Sequence, residues 1–387
     1  MRRTDAPSAL PVWDDGAWTP LPALTGDHTA DTCVIGLGGS GLTAVAELLD
    51  RGESVVGLDA ADVGGGAAGR NGGFLLAGTY DFYHHAVTRH GRARALAIYR
   101  ATCEEITRLA VATPTAVRRE GSRRLAASEA EIVDCQRQLT AMQQDGLPVS
   151  WYDGPDGVGL TIPTDAAFNP LDRCRLLAVQ AMTRGARLFA RSPVQTLTGR
   201  RVTTASGVVH CRRVLVLVDG TLELLLPELV GRVRTARLQM LATAPTEERT
   251  VPCPQYFRDG FEYWQQLPGG RIALGGFRDA GGLDEWTADT TPTPAVQHRL
   301  EQFLREHIGV QAAITHRWAA SAGYTSTGLP VIEQVRQDVW AAGGYCGTGN
   351  VIGALAARAV VAAAIDHEYA PVRLLLGPQW TPDGPVC

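Results

Sequence analysis

Six residues, Gly36-Leu37-Gly38-Gly39-Ser40-Gly41, constrain this chain more than any others. They follow Thr32–Ile35, an apolar run that reads as a buried strand, and they precede a helix expected over Leu42–Asp50 and ended by Arg51-Gly52. A second strand is expected over Ser54–Leu58, which completes a β-α-β unit within about 30 residues. Each glycine has a task in such a unit. Gly36 permits the tight turn, Gly38 lets the backbone approach a pyrophosphate, and Gly41 lets the helix pack closely on the sheet. The amides of Gly39 and Ser40 at the helix start, with the helix dipole, offset phosphate charge. Asp59 lies eighteen residues beyond Gly41 at the end of the second strand, where a carboxylate accepts hydrogen bonds from ribose hydroxyls. The chain therefore reads as a dinucleotide binder.

Composition removes several other classes. The 387 residues suffice for two domains, or for one large fold with an inserted region. With 20% charged residues and a net charge of −4, neither nucleic acid nor an anionic membrane surface is expected as a partner. All 36 basic residues are arginine, so no lysine Schiff base or lysine general base operates here, and pyridoxal-phosphate chemistry is excluded. The eight cysteines form no CxxC pair, which argues against zinc or a disulfide framework and fits a reducing cytoplasm. The longest apolar stretch, Val351–Ile365, is interrupted by Arg358 and is too short to span a bilayer. His84, His85 and His90 lack a zinc-like HxxxH pair, and no metal is expected. Arg118, Arg119, Arg123 and Arg124 read as solvated strand ends.

Along the chain, residues 1–28 read as an irregular surface leader. The stretch Gly64–Gly73 is too rich in glycine for helix or strand and is expected to be a functional or tightly packed loop. Helices are expected over Tyr80–Ala112 (one or two), Glu129–Gln144, Asp172–Arg184, Pro294–His307 and Val351–Ile365. Short strands are expected around Glu120-Gly121, at Arg187–Phe189 and at Val194–Leu197. Arg201–Thr204 and Val208–Cys211 read as a hairpin, and Val214–Val218 as a central parallel strand. Alternation from Arg234 to Gly276 suggests antiparallel strands, and Val339–Ala342 a short strand before a second glycine loop.

That second loop, Gly343-Gly344-Tyr345-Cys346-Gly347-Thr348-Gly349-Asn350, separates FAD from NAD. A flat isoalloxazine lies against backbone, so loops facing it need residues without side chains. Two glycine loops far apart in sequence can meet around one extended cofactor, whereas NAD explains only the first. Taken together, the fingerprint with Asp59, the loop Gly64–Gly73 ending in Arg70-Asn71-Gly72-Gly73, the stretch Val214–Leu225 and the last glycine loop resemble the glycine-oxidase/D-amino-acid-oxidase family of flavoproteins. The likeness runs from about Asp31 to about Ile365.

The resemblance implies an α/β architecture: a Rossmann-type FAD-binding domain with a parallel sheet, and a substrate domain with a mixed or antiparallel sheet. The expected division is 29–115, 165–232 and 318–370 for the first, and 116–164 and 233–317 for the second. It implies cofactor contacts from Gly36, Gly38, Gly39, Ser40, Gly41, Asp59, Ala68, Arg70, Asn71, Gly72, Gly73, Val194, Gly344, Gly347, Thr348, Gly349 and Asn350. The helix after the last loop would point its amino end at flavin N1 and O2. Substrate-facing candidates are Tyr263, Arg278 and Tyr345. Tyr263 and Trp264 read either as an aromatic wall or as sheet packing, and Arg278 either as a carboxylate clamp or as a structural ion pair. Thr348 stands where many members have histidine. The histidine or cysteine that anchors flavin covalently in some members is absent, so noncovalent FAD is expected. Some relatives place a lysine over the flavin. Here Arg70 or Arg278 replaces its charge, or oxygen is not the acceptor.

The implied reaction is oxidation of a C–N bond in an amine or amino acid by hydride transfer to flavin N5. The imine then hydrolyses, and electrons pass to oxygen or another acceptor. The amine must be neutral, and deprotonating one about three pKa units above neutrality costs about 4 kcal/mol. A desolvated aromatic pocket supplies part of that. Two alternatives share the motifs: a flavin dehydrogenase of a 2-hydroxy acid or amine that passes electrons to a quinone, and an FAD-binding protein without turnover. The sequence leaves oligomeric state open.

Overall fold

A computed structural model describes residues 7–382. Its first sheet has eight strands, built around Gly26–Ile35. Gly207–Asp219 lies parallel to one side of it, with Cys33 opposite Val214 and Ile35 opposite Val216. Val55–Leu58 and then Arg187–Phe189 lie parallel on the other side, and Val339–Gly343 extends the parallel set beyond Gly207–Asp219. Thr32–Ile35 and Val55–Leu58 are buried along their whole length, as strands covered on both faces must be. The helices Gly39–Asp50, Pro170–Thr183 and Ile352–Val361 share one apolar core that includes Val34, Leu42, Val45, Leu177, Leu215, Ala356 and Val360.

The second sheet also has eight strands and is mixed. In spatial order they are Ile314–Tyr324, Arg234–Thr243, Ile272–Gly275, Glu262–Gln266, Gln255–Phe257, Ser122–Leu125, Gly157–Ile162 and Ser150–Gly154. Every pairing is antiparallel except that of Gln255–Phe257 with Ser122–Leu125. A three-stranded sheet, Phe74–Leu75, Ala166–Phe168 and Val117–Arg118, completes the set. The α/β class, with a first sheet whose core is parallel and whose edges carry antiparallel strands and with a mixed second sheet, is what the resemblance implies. No helix among the described residues is long and apolar enough to cross a membrane.

Several local expectations change. The strand Ile314–Tyr324 runs across the expected boundary at 317/318, and the first strand begins at Gly26, inside the expected leader. The described part of the leader lies mostly on the surface and is anchored there: Trp13, Leu21 and Leu24 are buried, and Ser8 bridges to His316. Within Gly64–Gly73, residues Ala67–Arg70 form one helical turn. Two alanines favour it, and the Asn71 side-chain amide caps it by donating to the carbonyls of Ala67 and Ala68. Arg124 is not a solvated strand end. It is buried, bound to Asp134, Asp259 and Gln138, and stacked on Phe82. The seven described cysteines are all free; Cys387 lies outside the described residues.

Candidate cofactor and substrate site

One cavity of about 530 Å³ runs from the first glycine turn to the last glycine loop. Among its walls are Gly36, Gly38, Gly39, Ser40, Asp59, Ala68, Arg70, Asn71, Val194, Gly347, Gly349 and Asn350, which brings most of the expected cofactor residues together. The others support these walls. Gly41 packs so tightly that a Cβ there would stand 1.8 Å from the Gly36 carbonyl oxygen. Gly72 lies under the Tyr263 ring, and Gln265 holds the carbonyls of Gly72 and Gly73. Gly344 donates to the Asp219 carbonyl. Thr348 donates its hydroxyl to the Tyr345 carbonyl, while its own carbonyl accepts from Ile352 N at the start of helix Ile352–Val361.

At the nucleotide end, Gly36 has a φ of +104°, and a Cβ there would stand 2.5 Å from the Leu217 carbonyl oxygen, so the turn requires glycine. Helix Gly39–Asp50 starts directly from this turn with no side-chain cap and no acid in its first turn, leaving its amides for a ligand. Asp59 is fixed by two backbone donors, Leu37 N at 2.7 Å and Ala61 N at 2.8 Å. Burial pushes its carboxyl up, and those amides oppose the shift.

In the middle of the cavity, Arg70 donates from Nε to the Ala319 carbonyl at 2.9 Å, and Trp318 donates to the Arg70 carbonyl at 2.8 Å. These bonds lash the first loop to the second sheet. Asp219, which the sequence did not single out, organises the far end. It adopts a φ of +63°, and its carboxylate accepts from Gly323 N at 2.9 Å and Tyr345 N at 3.0 Å. Burial pushes its pKa up and the backbone donors hold it down. Ser192, Pro193, Leu217, Leu238, Met240 and Ser321 also line the cavity. Most of them sit on ordinary strands, whose composition carries no distinguishing signal.

The substrate candidates separate. Tyr263 lines the cavity, whereas Trp264 turns to the opposite face and packs on Phe303 at 5.5 Å. Adjacent residues on a strand face opposite ways, so the pair cannot form one wall. Arg278 does not line the cavity itself. Its guanidinium stacks on Trp286 at 4.9 Å and Tyr324 at 5.1 Å, and its charge reaches the phenol of Tyr263. Among the described residues no carboxylate pairs with it; the adjacent Asp279 is held by Arg258 at 2.7 Å. The structural ion pair is therefore absent. Burial pushes Tyr324 up to about 12 and Tyr263 above the usual phenol range, so both stay protonated. Tyr345 also lines the cavity, with its ring against Gly349 and Gly353 and its hydroxyl toward Ser40.

Away from the cavity, His84, His85 and Asp134 bring their ligating atoms within 4.8 Å of one another. Asp134 is committed there to both histidines and to Arg124 at 2.7 Å.

A cavity lined by a helix amino terminus, an acid at the end of the second strand and two glycine loops, and roofed by a second sheet, defines a flavin-dinucleotide oxidoreductase. The chain belongs to the FAD dependent oxidoreductase family (DAO), whose model matches residues 31–363. It is similar to a probable oxidoreductase, OrdL, of Rhizobium meliloti: 25% identical over 359 residues, covering 86% of this chain and 82% of the relative. A gamma-glutamylputrescine oxidoreductase of Escherichia coli is 24% identical over 383 residues, covering 89% and 85%. In fold it matches an L-proline dehydrogenase from P. horikoshii, with a TM-score of 0.74, 19% identity, and 92% and 99% of the two chains covered. It also matches a glycine oxidase from Geobacillus kaustophilus, with a TM-score of 0.71, 19% identity, and 88% and 95% covered. The cofactor is FAD, and the glycine cradle, the uncapped helix and Asp59 fit it.

Proposed function

We propose that this enzyme oxidises an amino acid at the C–N bond, with Arg278 receiving the substrate carboxylate and Tyr263 forming the wall beside the reacting carbon. The reading rests on one observation above all: a guanidinium whose charge reaches the cavity-lining phenol of Tyr263, stacked on Tyr324 and Trp286 and free of any carboxylate among the described residues. An arginine fork suits a carboxylate bidentately, and aromatic faces beneath it fix its plane. FAD, when bound, supplies the two-electron acceptor. The protein's part is to orient the substrate, exclude water and favour the neutral amine. The protonated phenols of Tyr263 and Tyr324 put no negative charge beside that amine. Arg70, pinned to Ala319, serves the cofactor side. Relatives and structural neighbours named for amine and amino-acid substrates support the same class.

The test is anaerobic mixing of the yellow protein with amino acids, simple amines and 2-hydroxy acids, followed by admission of air. Bleaching by amino acids supports the reading, and recovery of colour in air identifies oxygen as an acceptor. Bleaching by hydroxy acids alone removes it. So does failure of every amine and amino acid when dithionite still reduces the flavin.

A further inference from the structure

Arg173 sits in helix Pro170–Thr183, in the layer that packs on helix Gly39–Asp50. It is 2% exposed, and its Nε and Nη2 have no hydrogen-bond partner among the described residues. The carboxylate whose charge it feels, Glu105, is already committed. Arg358 takes both Glu105 oxygens, at 2.9 and 3.1 Å, and Arg108 takes one at 3.3 Å. Burial pushes the Arg173 guanidinium below its ordinary range, and the nearby charge of Arg358 acts in the same direction.

A buried guanidinium without a partner is among the costlier arrangements a fold can keep. Its position indicates what the missing partner is. Nη1 lies 3.0 Å from where a Cβ on Gly39 would stand, and Gly39 is the first residue of the uncapped helix that opens the cavity. Any side chain at position 39 would meet the guanidinium. The glycine thus serves to admit an arginine from another helix to the helix terminus. Helix dipole and guanidinium are both positive there, and the first turn carries no acid.

We propose that Arg173 is a cofactor-binding residue, the buried counter-charge to the FAD pyrophosphate. The glycine fingerprint contributes only backbone donors and a partial charge; Arg173 adds a full positive charge from a second helix. The anion completes the hydrogen bonding of the guanidinium and offsets the repulsion between it and the helix terminus.

The experiment compares wild type with Arg173→Met, titrating apoprotein with FAD, ADP and adenosine. ADP keeps the pyrophosphate and adenosine lacks it. The expected result is a loss of FAD and ADP affinity by a common factor, roughly 10- to 100-fold, with adenosine binding unchanged. Unchanged FAD and ADP affinity overturns the proposal. A parallel loss for adenosine also overturns it, because the arginine then only shapes the domain. If Arg173→Met does not fold, Arg173→Gln replaces it in the same comparison, and failure of both to give folded protein assigns the arginine to structure alone.

Discussion

The side-chain amides of Asn71 and Asn350, 279 residues apart in sequence, bond to each other in both directions. Asn71 Nδ2 donates to Asn350 Oδ1 at 3.1 Å, and Asn350 Nδ2 donates back at 3.2 Å. Asn71 also caps the turn Ala67–Arg70 and accepts from Gly73 N, while Asn350 donates to the Phe74 carbonyl. The two glycine loops are thereby joined as one surface, with the cavity along it. Flat cofactors need walls that do not shift relative to each other, and this amide pair supplies that restraint.

Replacing Asn350 with alanine takes away the side-chain donor to the Phe74 carbonyl and both bonds to Asn71, at a cost of about 1–3 kcal/mol for a buried group left unpaired. Stability in urea and FAD affinity should both fall. In a double-mutant cycle with Asn71→Ala, the coupling should be about 0.5–3 kcal/mol. Strict additivity of the two single changes would mean that the loops are held together by other contacts.

Asp59 gives a second test. Its carboxylate is oriented by Leu37 N and Ala61 N at the strand end where the ribose is expected. Asp59→Ala should weaken FAD binding by about 1–3 kcal/mol through loss of a charge-assisted hydrogen bond. FAD affinity equal to wild type in a fluorescence titration would place the ribose elsewhere.

The cofactor end of this site was legible because its signals are local. A strand, a glycine turn, a helix and an acid follow one another within a few tens of residues, and each has a physical requirement that only a few residue types meet. The helix Glu129–Gln144 was legible for a similar reason, since Ser128 caps it by accepting from Glu131 N. What stayed hidden depends on tertiary contacts. Asp219 and Arg173 look like an ordinary acid at a strand end and an ordinary base on a helix, and only the packing shows that Arg173 is buried and that the Asp219 carboxylate faces the amides of Gly323 and Tyr345. The hairpin Ser150–Gly154/Gly157–Ile162 had its turn signal in Pro155-Asp156-Gly157, but Trp151 and Asp153 face solvent and its first strand lacks a clear apolar face. Tyr263 and Trp264 were a pair in sequence, and strand geometry made them opposites.

Asp165 carries a pH prediction. It is buried, accepts from Ser122 Oγ at 2.5 Å and Ala77 N at 2.8 Å, and burial pushes its pKa from 3.8 up to about 7. Its folded pKa lies above its unfolded one, so between about pH 4 and 7 the native state binds more protons, and stability falls as pH rises. The change over that window is about 4 kcal/mol. Asp165→Asn keeps the shape without the titration. The variant should be more stable than wild type at pH 8, with the advantage vanishing near pH 4. Parallel stability curves for the two proteins across that range would refute the assignment.

Among the described residues no histidine or cysteine lines the cavity, and the buried Cys346 turns its thiol to the Gly344 carbonyl. Acid denaturation should therefore release intact FAD into the supernatant. Flavin that stays with the precipitated polypeptide would show a covalent bond that the cavity walls do not account for.

Arg278 separates amino acids from simple amines. A substrate carboxylate brought into a closed pocket needs a cation, because an unpaired buried charge is expensive. Arginine is the only permanent cation this chain contains. Arg70, which lines the cavity, is tied to Ala319, while Arg278, beside the cavity-lining Tyr263, rests on Trp286 and Tyr324 without an acidic partner among the described residues. Arg278→Met keeps an unbranched apolar stem and removes the guanidinium with its charge. It should raise KM for the amino acid, equivalent to roughly 2–4 kcal/mol of lost binding. Flavin content should stay normal, and turnover of an uncharged amine should be nearly unaffected. An equal loss on both substrates would make Arg278 a support for the aromatic wall, and full retention of amino-acid activity would move the clamp to another residue.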